Sequence, residues 1–156
     1  MPKHLLPINH RQQEENVGCL AACAQMALGH LGITITQRQL NRLFELKEAG
    51  ALLSHIDRAQ HFGVRVIRKP GTEQDIKSAI DQGIPPVLFV STGQLRTYWQ
   101  EDVQHVVLVV GYDDTHLYLN DPAFPDAPKQ VPIDEVMLAW LEFDYVYALI
   151  TRKTMD

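Results

Sequence analysis

The chain is poor in cysteine, and this shortage excludes several kinds of site. Only two of its 156 residues are cysteines, Cys19 and Cys23, and they stand one helical turn apart. Two cysteines at i and i+4 of one predicted helix are poorly placed for a disulfide, and this spacing matches no zinc site. The sequence therefore predicts reduced thiols, no metal and no other cofactor. Reduced thiols favour a cytoplasmic location.

Long apolar runs and strong positive charge are also missing. No run approaches the roughly 20 apolar residues that a membrane-spanning helix needs, and residues 1–7 are too short and too rich in proline for an export signal. The formal net charge is −5, from 14 basic and 19 acidic residues, without a long basic run. We therefore expect no membrane span and no nucleic-acid partner.

The chain does contain enough apolar sequence to bury a core. Apolar residues make up 46% of it and charged residues 21%, which are the proportions of a soluble globular protein. Its length suits one ordinary domain, and no linker, repeat or low-complexity segment interrupts it. We predict a single domain over residues 1–156, whereas the oligomeric state is left open.

The order of the predicted elements indicates an α+β fold. Helices come first, and strands with one or two helices between them follow, which favours helices on one side of a mostly antiparallel sheet. Thr36 and Thr72 are the predicted N-caps, and Thr72 with Asp75 resembles a capping box. The predicted helices span residues 19–30, 37–46, 52–61, 73–81 and 133–141. The predicted strands span residues 64–68, 87–90, 105–110, 116–120 and 145–150, and residues 121–131 are predicted as a loop.

The helix that begins at Cys19 carries the first candidate for chemistry. Residues 19–28 are rich in alanine and unbranched side chains, which have high helix propensity. The segment before them, residues 3–18, is called the lead-in; it becomes polar toward its end at Gly18. The free N–H groups and the positive end of the dipole at a helix start favour an anion, so a thiol there favours the reactive thiolate form. We interpret Cys19 as a candidate nucleophile and Cys23 as a buried packing residue.

A cysteine nucleophile needs a base, and His105 is the best placed of the seven histidines. It opens the most apolar strand directly after the polar segment 91–104, and a rigid strand end is a good platform for a catalytic side chain. Asp121 ends the next strand, so in an antiparallel hairpin it lies at the same sheet edge. Asp121 could hold the imidazole Nδ1–H, and Asn120 is its rival.

The backbone N–H of Cys19, with a side-chain amide from Gln13 or Gln12, is the candidate donor set for an oxyanion. Simpler structural interpretations stay open on spacing alone. A cysteine near a helix start is often core packing. A histidine that opens a strand is often only a polar strand end, and Asp-Pro is often only a turn.

Four groups of residues, in register along the chain, resemble the C39 and C39-like peptidases of the papain-like clan. These groups are Gln13, the pattern Cys19-x-x-x-Cys23-x-x-Met26 with a helix end at Leu31-Gly32, the strand His105–Tyr112, and the segment Leu117–Ala123 with its Asp-Pro. The segment from Gly50 to Val90 is also similar to the middle of that family.

The resemblance implies a papain-like α+β fold, with N-terminal helices packed on a mostly antiparallel sheet, and a single C39-like peptidase domain. It makes Cys19 the nucleophile, His105 the base, Asp121 the orienting acid and Gln13 the oxyanion residue. Leu20 stands where many members have glycine, which affects the adjacent subsite. The expected substrate contacts are Gln12, Leu20, Tyr98 and Trp99.

The function that follows from the resemblance is hydrolysis of a peptide bond in a peptide or protein substrate by a standalone cysteine peptidase. Two alternatives stay open: a peptide-binding module that does not cleave, and a transpeptidase or amide-forming enzyme that uses the same triad. Many relatives are fused to peptide-exporting transporters and cut after a double glycine. This sequence shows no transmembrane or ATPase part, so we do not carry that substrate over.

Overall fold

The computed structural model describes residues 3–153. Its helices are α1 Cys19–His30, α2 Gln37–Leu43, α3 Glu73–Asp81 and α4 Ile133–Leu141, with 3₁₀ helices at Leu53–Phe62 and Thr92–Gln94. Its strands are β1 His4–Leu5, β2 Val64–Pro70, β3 Val87–Ser91, β4 Gln104–Tyr112, β5 His116–Asn120, β6 Lys129–Pro132 and β7 Val146–Arg152. Among residues 3–153, none of the helices combines the length and the apolar character that a membrane span requires.

The strands of the described residues form a seven-stranded antiparallel sheet in the order β2-β7-β3-β4-β5-β6, with β1 paired to the far end of β4. β4 is central, because it pairs with β3 on one side and β5 on the other. Its residues from Val106 to Val110 are all buried. A strand that is covered on both faces has no solvent side, which explains its continuous apolar run.

Helices cover both faces of this sheet. Val106 and Leu108 of β4 pack into one core with the buried side of α1. Val107 packs into the opposite core, together with Trp140 of α4 and the apolar side of α3. The prediction that N-terminal helices pack on an antiparallel sheet is confirmed, but the expectation of helices on one side is wrong. Both faces of β4 are apolar, so both require a cover.

Local sequence signals set the helix ends where those signals are strong. Thr72 Oγ1 accepts a hydrogen bond from Asp75 N–H, and the Asp75 carboxylate accepts one from Thr72 N–H, so the predicted capping box is present. Thr36 caps α2 in the same way with Gln39. α2 ends earlier than predicted because Glu45 turns the chain with a φ of 56°.

Three predicted assignments differ from the structure. The third predicted helix is a 3₁₀ helix. β1 lies in the lead-in, and β6 begins within the predicted loop 121–131 and ends one residue beyond it. Both strands are too short to show an alternating pattern, and only their pairing with β4 and β5 defines them.

The lead-in connects the far end of the sheet to the cleft described below. At its start, His4 pairs with Tyr112 at the end of β4. Near its end, Gln13 N–H donates to the carbonyl of Pro122 over 2.7 Å. This second bond brings Gln13 next to the loop that follows β5.

Candidate active site

Cys19 is the first residue of α1 and is partly exposed. Its N-cap, Gly18, supplies no side-chain hydrogen bond. Among residues 3–153, no backbone carbonyl outside the helix accepts from the N–H of Cys19. The thiol therefore stands at an uncapped helix start, where free N–H groups and the helix dipole favour an anion.

His105 and Asp121 form a buried hydrogen-bonded pair. Nε2 of His105 lies 2.6 Å from Oδ1 of Asp121, and the two side chains are 5% and 0% exposed. The expectation that Asp121 binds Nδ1 is therefore wrong, and Nδ1 is the ring nitrogen left for Cys19. The reason is the orientation of the ring, which packs against Trp99 and which strand register alone does not specify.

Successive residues at the end of β5 point to opposite faces of the sheet, and this separates Asn120 from Asp121, the two candidates for the group that orients His105. Asn120 pairs with Leu108 and points to the face covered by α1, where its Nδ2 lies 3.7 Å from Sδ of Met26. Asp121 points to the other face and reaches His105. Asn120, the alternative to Asp121, is therefore excluded because neighbouring side chains in a strand point to opposite faces.

The pair is charged at neutral pH. Burial lowers the pKa of His105, but the hydrogen bonds with Asp121 and Cys19 outweigh burial and raise this pKa from 6.5 to about 9. Burial raises the pKa of Asp121, but hydrogen bonds from His105, Tyr98 and Trp99 outweigh it and hold this pKa below 3.8. The site therefore favours an imidazolium next to a carboxylate.

Tyr98 and Trp99 both donate to Oδ2 of Asp121, the carboxylate oxygen that does not face His105. The Tyr98 hydroxyl donates to Asp121 Oδ2 over 2.7 Å, and Trp99 Nε1 donates to the same oxygen over 2.8 Å. Burial and the neighbouring Asp121 raise the pKa of Tyr98 well above its usual range, so it stays a donor. The sequence suggested substrate contact for this pair and did not suggest a bond to Asp121.

A cleft of about 450 Å³ lies in front of Cys19 and His105. Among the predicted site residues, those that line it are Cys19, His105, Gln13, Leu20 and Trp99. Its rim carries exposed apolar side chains, Val17, Leu52 and Val103. Within the described residues, Asp121 and Tyr98 lie behind His105, and Gln12 lies outside the lining.

The side-chain amide of Gln13 is already bonded. Its Nε2 donates to the carbonyls of Glu15 and Asn16 over 3.1 and 2.7 Å. Its Oε1 is buried and has no partner among residues 3–153. Gln13 therefore reaches the cleft, but both of its amide N–H groups point to its own loop.

Gln37 is a site residue that sequence reasoning missed. It is 2% exposed, although it opens an amphipathic helix on the surface. Its Nε2 donates to the carbonyl of Gln12 over 2.9 Å, and its Oε1 accepts from Glu14 N–H over 2.9 Å. These two bonds hold the lead-in on either side of Gln13. The contact is tertiary, so the sequence around Gln37 carries no signal for it.

Cys23 is buried, as predicted, and its Sγ donates to the carbonyl of Val106 over 3.5 Å. Burial raises the pKa of this thiol well above its ordinary value. It is therefore a neutral packing group. Within residues 3–153, no three His, Cys, Asp or Glu side chains are grouped so that they could hold a metal ion.

Comparison with known proteins gives matches of two kinds. The model of the Peptidase_C39 like family matches residues 5–148. A structure from Bacillus anthracis, assigned as a C39-like peptidase, superposes with a TM-score of 0.81 at 16% identity, over 99% of this chain and 100% of that one. No curated protein sequence matches the chain.

Two further structures superpose with a TM-score of 0.75 at 15% identity. One is a double glycine motif protease from an AMS/PCAT transporter in complex with the leader peptide, matched over 96% of this chain and 94% of that one. The other is the peptidase domain of Streptococcus ComA, a bi-functional ABC transporter, matched over 92% and 98%. These likenesses show the fold, and the predicted papain-like α+β class is confirmed.

Proposed function

Because the chain belongs to the Peptidase_C39 like family, we propose that it is a cysteine peptidase whose residues 1–156 form one catalytic domain. The observation that carries this proposal is the buried pair His105–Asp121, 2.6 Å apart, at the cleft that also holds Cys19. A nucleophile, a base and an orienting acid are the groups that acyl transfer through a covalent intermediate requires.

In the proposed reaction, the thiolate of Cys19 attacks the carbonyl carbon of the scissile bond, and the proton from the thiol resides on Nδ1 of His105. The C–N bond then breaks, and the imidazolium gives this proton to the leaving amine. A thioester remains on Cys19. Water gives a proton to His105 as its oxygen attacks the thioester, and the carboxylic acid and the thiolate–imidazolium pair result.

Asp121 supports these steps by accepting the Nε2–H of His105. This bond holds the ring in one tautomer, with Nδ1 available for the thiol, and it stabilises the imidazolium that each half-reaction uses. The raised pKa of His105 has the same origin.

The negative charge that develops on the carbonyl oxygen needs donors. The N–H of Cys19 at the start of α1 is one candidate, because no carbonyl outside the helix accepts from it within residues 3–153. The side-chain amide of Gln13 is the other candidate donor, but it must first break its hydrogen bond to the carbonyl of Glu15 or Asn16. We propose that substrate binding turns the Gln13 amide toward the oxyanion.

The proposed substrate is a peptide or a protein. One relative with this fold is bound to a leader peptide, and exposed apolar side chains on the cleft rim here suit an uncharged peptide segment. We do not extend the double-glycine motif to this chain. A cytoplasmic location is part of the proposal, because both cysteines are free thiols.

A second candidate function is a peptide-binding module that does not cleave. The bonded amide of Gln13 favours it, because an oxyanion donor that stays bonded to Glu15 and Asn16 gives no catalysis. Acyl transfer to an amine is a variant of the first function, since it shares the thioester and differs only in the acceptor.

The test compares Cys19→Ala with Cys23→Ala, which is the matched control from the same helix. We expect Cys19→Ala to lower peptide hydrolysis on the order of a thousandfold or more and to abolish labelling by a thiol-reactive peptide probe. Cys23→Ala should retain peptide hydrolysis and labelling by the probe. Labelling that follows Cys23 instead would overturn the assignment.

A peptide library, read by mass spectrometry with and without an added amine, separates the three functions. New free carboxyl ends support hydrolysis, and amide products that appear only with the amine identify acyl transfer. Peptides that bind but give no product with either acceptor identify the binding module. Circular dichroism of each variant checks that it is folded.

A further inference from the structure

Asp121 is bonded by three groups besides His105. Its Oδ1 accepts from His105 Nε2 over 2.6 Å and from Ala123 N–H over 2.9 Å. Its Oδ2 accepts from the Tyr98 hydroxyl over 2.7 Å and from Trp99 Nε1 over 2.8 Å. An ionised carboxylate offers about four acceptor sites, so every site of this fully buried group is filled.

The partners of Asp121 favour its anionic form. An indole N–H and a backbone N–H only donate, and so does an imidazolium. A proton on Oδ1 would face groups that only donate, and a proton on Oδ2 could be accepted only by the Tyr98 hydroxyl, which would then no longer donate to Asp121. The removal of a donor instead would leave part of a buried negative charge without a partner, which is costly.

The segment that carries Tyr98 and Trp99 is fixed at its base. Thr92 is fully buried; its hydroxyl donates to the carbonyl of Glu101 over 2.6 Å and accepts from Val103 N–H over 2.9 Å. Leu95 is fully buried, and its carbonyl accepts from Trp99 N–H over 2.9 Å. The loop therefore holds both donors at defined positions.

Ring packing fixes their orientation as well. The Trp99 ring lies 5.1 Å from that of His105, with an interplanar angle of 64°. Phe124, in the same loop as Asp121, packs edge-on against Trp99 and Tyr98, each at 5.2 Å. Phe124 thus supports the rings of both donors, and Trp99 in turn packs on His105.

We infer that Tyr98 and Trp99 are positioning residues of the catalytic triad, because they hold Asp121 ionised and in the orientation that binds Nε2 of His105. This inference rests on the proposed function. It gives the pair a task other than substrate contact, since their polar atoms bond to Asp121 behind the base. A phenylalanine at either position retains an aromatic ring and removes the donor.

The test uses Tyr98→Phe, Trp99→Phe and the double variant in the whole protein. The matched control is Tyr112→Phe, which also removes a hydroxyl bonded to a carboxylate, that of Asp81 at 2.7 Å, at the opposite end of β4. The first measurement needs no turnover: NMR follows the His105 ring during a pH titration, and the protonation of Asp121 appears as a step on its acid side.

We expect this acid-side step to move to higher pH by about one unit in each single variant, and further in the double variant. Fewer donors leave the anion less stable, so the pKa of Asp121 rises. The Tyr112→Phe control should show no movement. A titration that matches the wild type in both single variants and in the double variant overturns the inference.

Peptide hydrolysis provides the second measurement. We expect kcat to fall about tenfold in each single variant. KM should change by less than about twofold in Tyr98→Phe, because Tyr98 lies outside the cleft lining, whereas Trp99 lines the cleft. A rise in KM with an unchanged titration would instead make the pair substrate contacts and contradict the inference. If the wild type hydrolyses nothing but the titration moves as expected, the proposed function fails and the positioning role stands.

Discussion

At the scale of single residues, Asp121 occupies a place that an asparagine cannot fill equally well. All its partners donate hydrogen bonds, two to each oxygen. An asparagine has one acceptor oxygen and one NH₂ group, so either orientation turns its NH₂ toward at least one N–H group that can only donate, that of Trp99 or that of Ala123. Buried donors that face each other stay unsatisfied. This position therefore requires a negative charge as well as a particular shape.

We predict that Asp121→Asn lowers the free energy of unfolding by about 1–3 kcal/mol, because it leaves buried donors without acceptors. It should also lower kcat/KM on the order of a hundredfold or more, because His105 loses its anionic partner. Urea unfolding and peptide hydrolysis measure the two effects. Asp113→Asn is the control. Asp113 also accepts several hydrogen bonds, but it lies in the turn between β4 and β5, away from the cleft. An Asn variant as stable and active as the wild type would contradict this prediction.

The sequence indicated some of the site because its residues stand at the ends of regular elements. Cys19 begins a helix, His105 lies near the start of an apolar strand, and Asp121 follows the next strand. The ring nitrogen that faces Asp121 was not predictable, and neither were the bonds from Tyr98 and Trp99. They depend on side chains from distant segments that pack together only in the folded chain.

At the scale of elements, the lead-in depends on α2 through one side chain. Gln37 bonds to the backbone on both sides of Gln13, at Gln12 and Glu14, and its Nε2 also donates to Gln25 of α1. A helix that carries no residue of the proposed triad therefore helps to position Gln13.

We predict that Gln37→Leu lowers the free energy of unfolding by about 1–3 kcal/mol, because two backbone groups of the lead-in lose their partners. Peptide hydrolysis should fall severalfold in kcat/KM, since Gln13 lies between those groups. Urea unfolding and steady-state kinetics check both effects. Gln74→Leu is the control, because the Gln74 side chain bonds to Ser78 on the exposed side of α3 and to no other group among residues 3–153. Wild-type kinetics in folded Gln37→Leu would show that α2 does not position Gln13.

Elements with strong local signals were predicted well. α3 spans its predicted residues because Thr72 and Asp75 form a capping box within four residues of sequence. β1 and β6 were missed because strands this short have no pattern of their own. The cover on the second face of the sheet was missed for a related reason, since the amphipathic sequence of α3 does not say which face it packs on.

At the scale of the whole molecule, His105 and Asp121 make the stability of the fold depend on pH. The pKa of His105 is raised from 6.5 to about 9, so its contribution is complete below about pH 6.5 and is lost as the pH rises through about 9. The pKa of Asp121 is lowered from 3.8, so its contribution is present above about pH 3.8 and is lost as the pH falls below that value.

We predict that the free energy of unfolding falls on the order of 3 kcal/mol between pH 6.5 and pH 9. In this range the folded state keeps the proton on His105 and the unfolded state has lost it, so unfolding releases a proton and a rising pH favours it. Urea unfolding at several pH values measures this slope. His105→Gln should remove most of it, whereas His61→Gln, at an exposed position, should retain it. A slope that is the same in His105→Gln and the wild type would mean that other groups cause it.

The pairing of β1 also determines how the molecule can be handled on a surface. His4 pairs with Tyr112. Tyr112 lies seven residues along β4 from His105, which is roughly 23 Å at about 3.3 Å per residue. Gly111 makes this approach possible, because a side chain there would collide with the backbone oxygen of His4. An affinity tag or fluorescent protein joined through Lys3 therefore attaches at the end of the sheet remote from the thiol. Protein immobilised by such a tag presents its cleft to the solution.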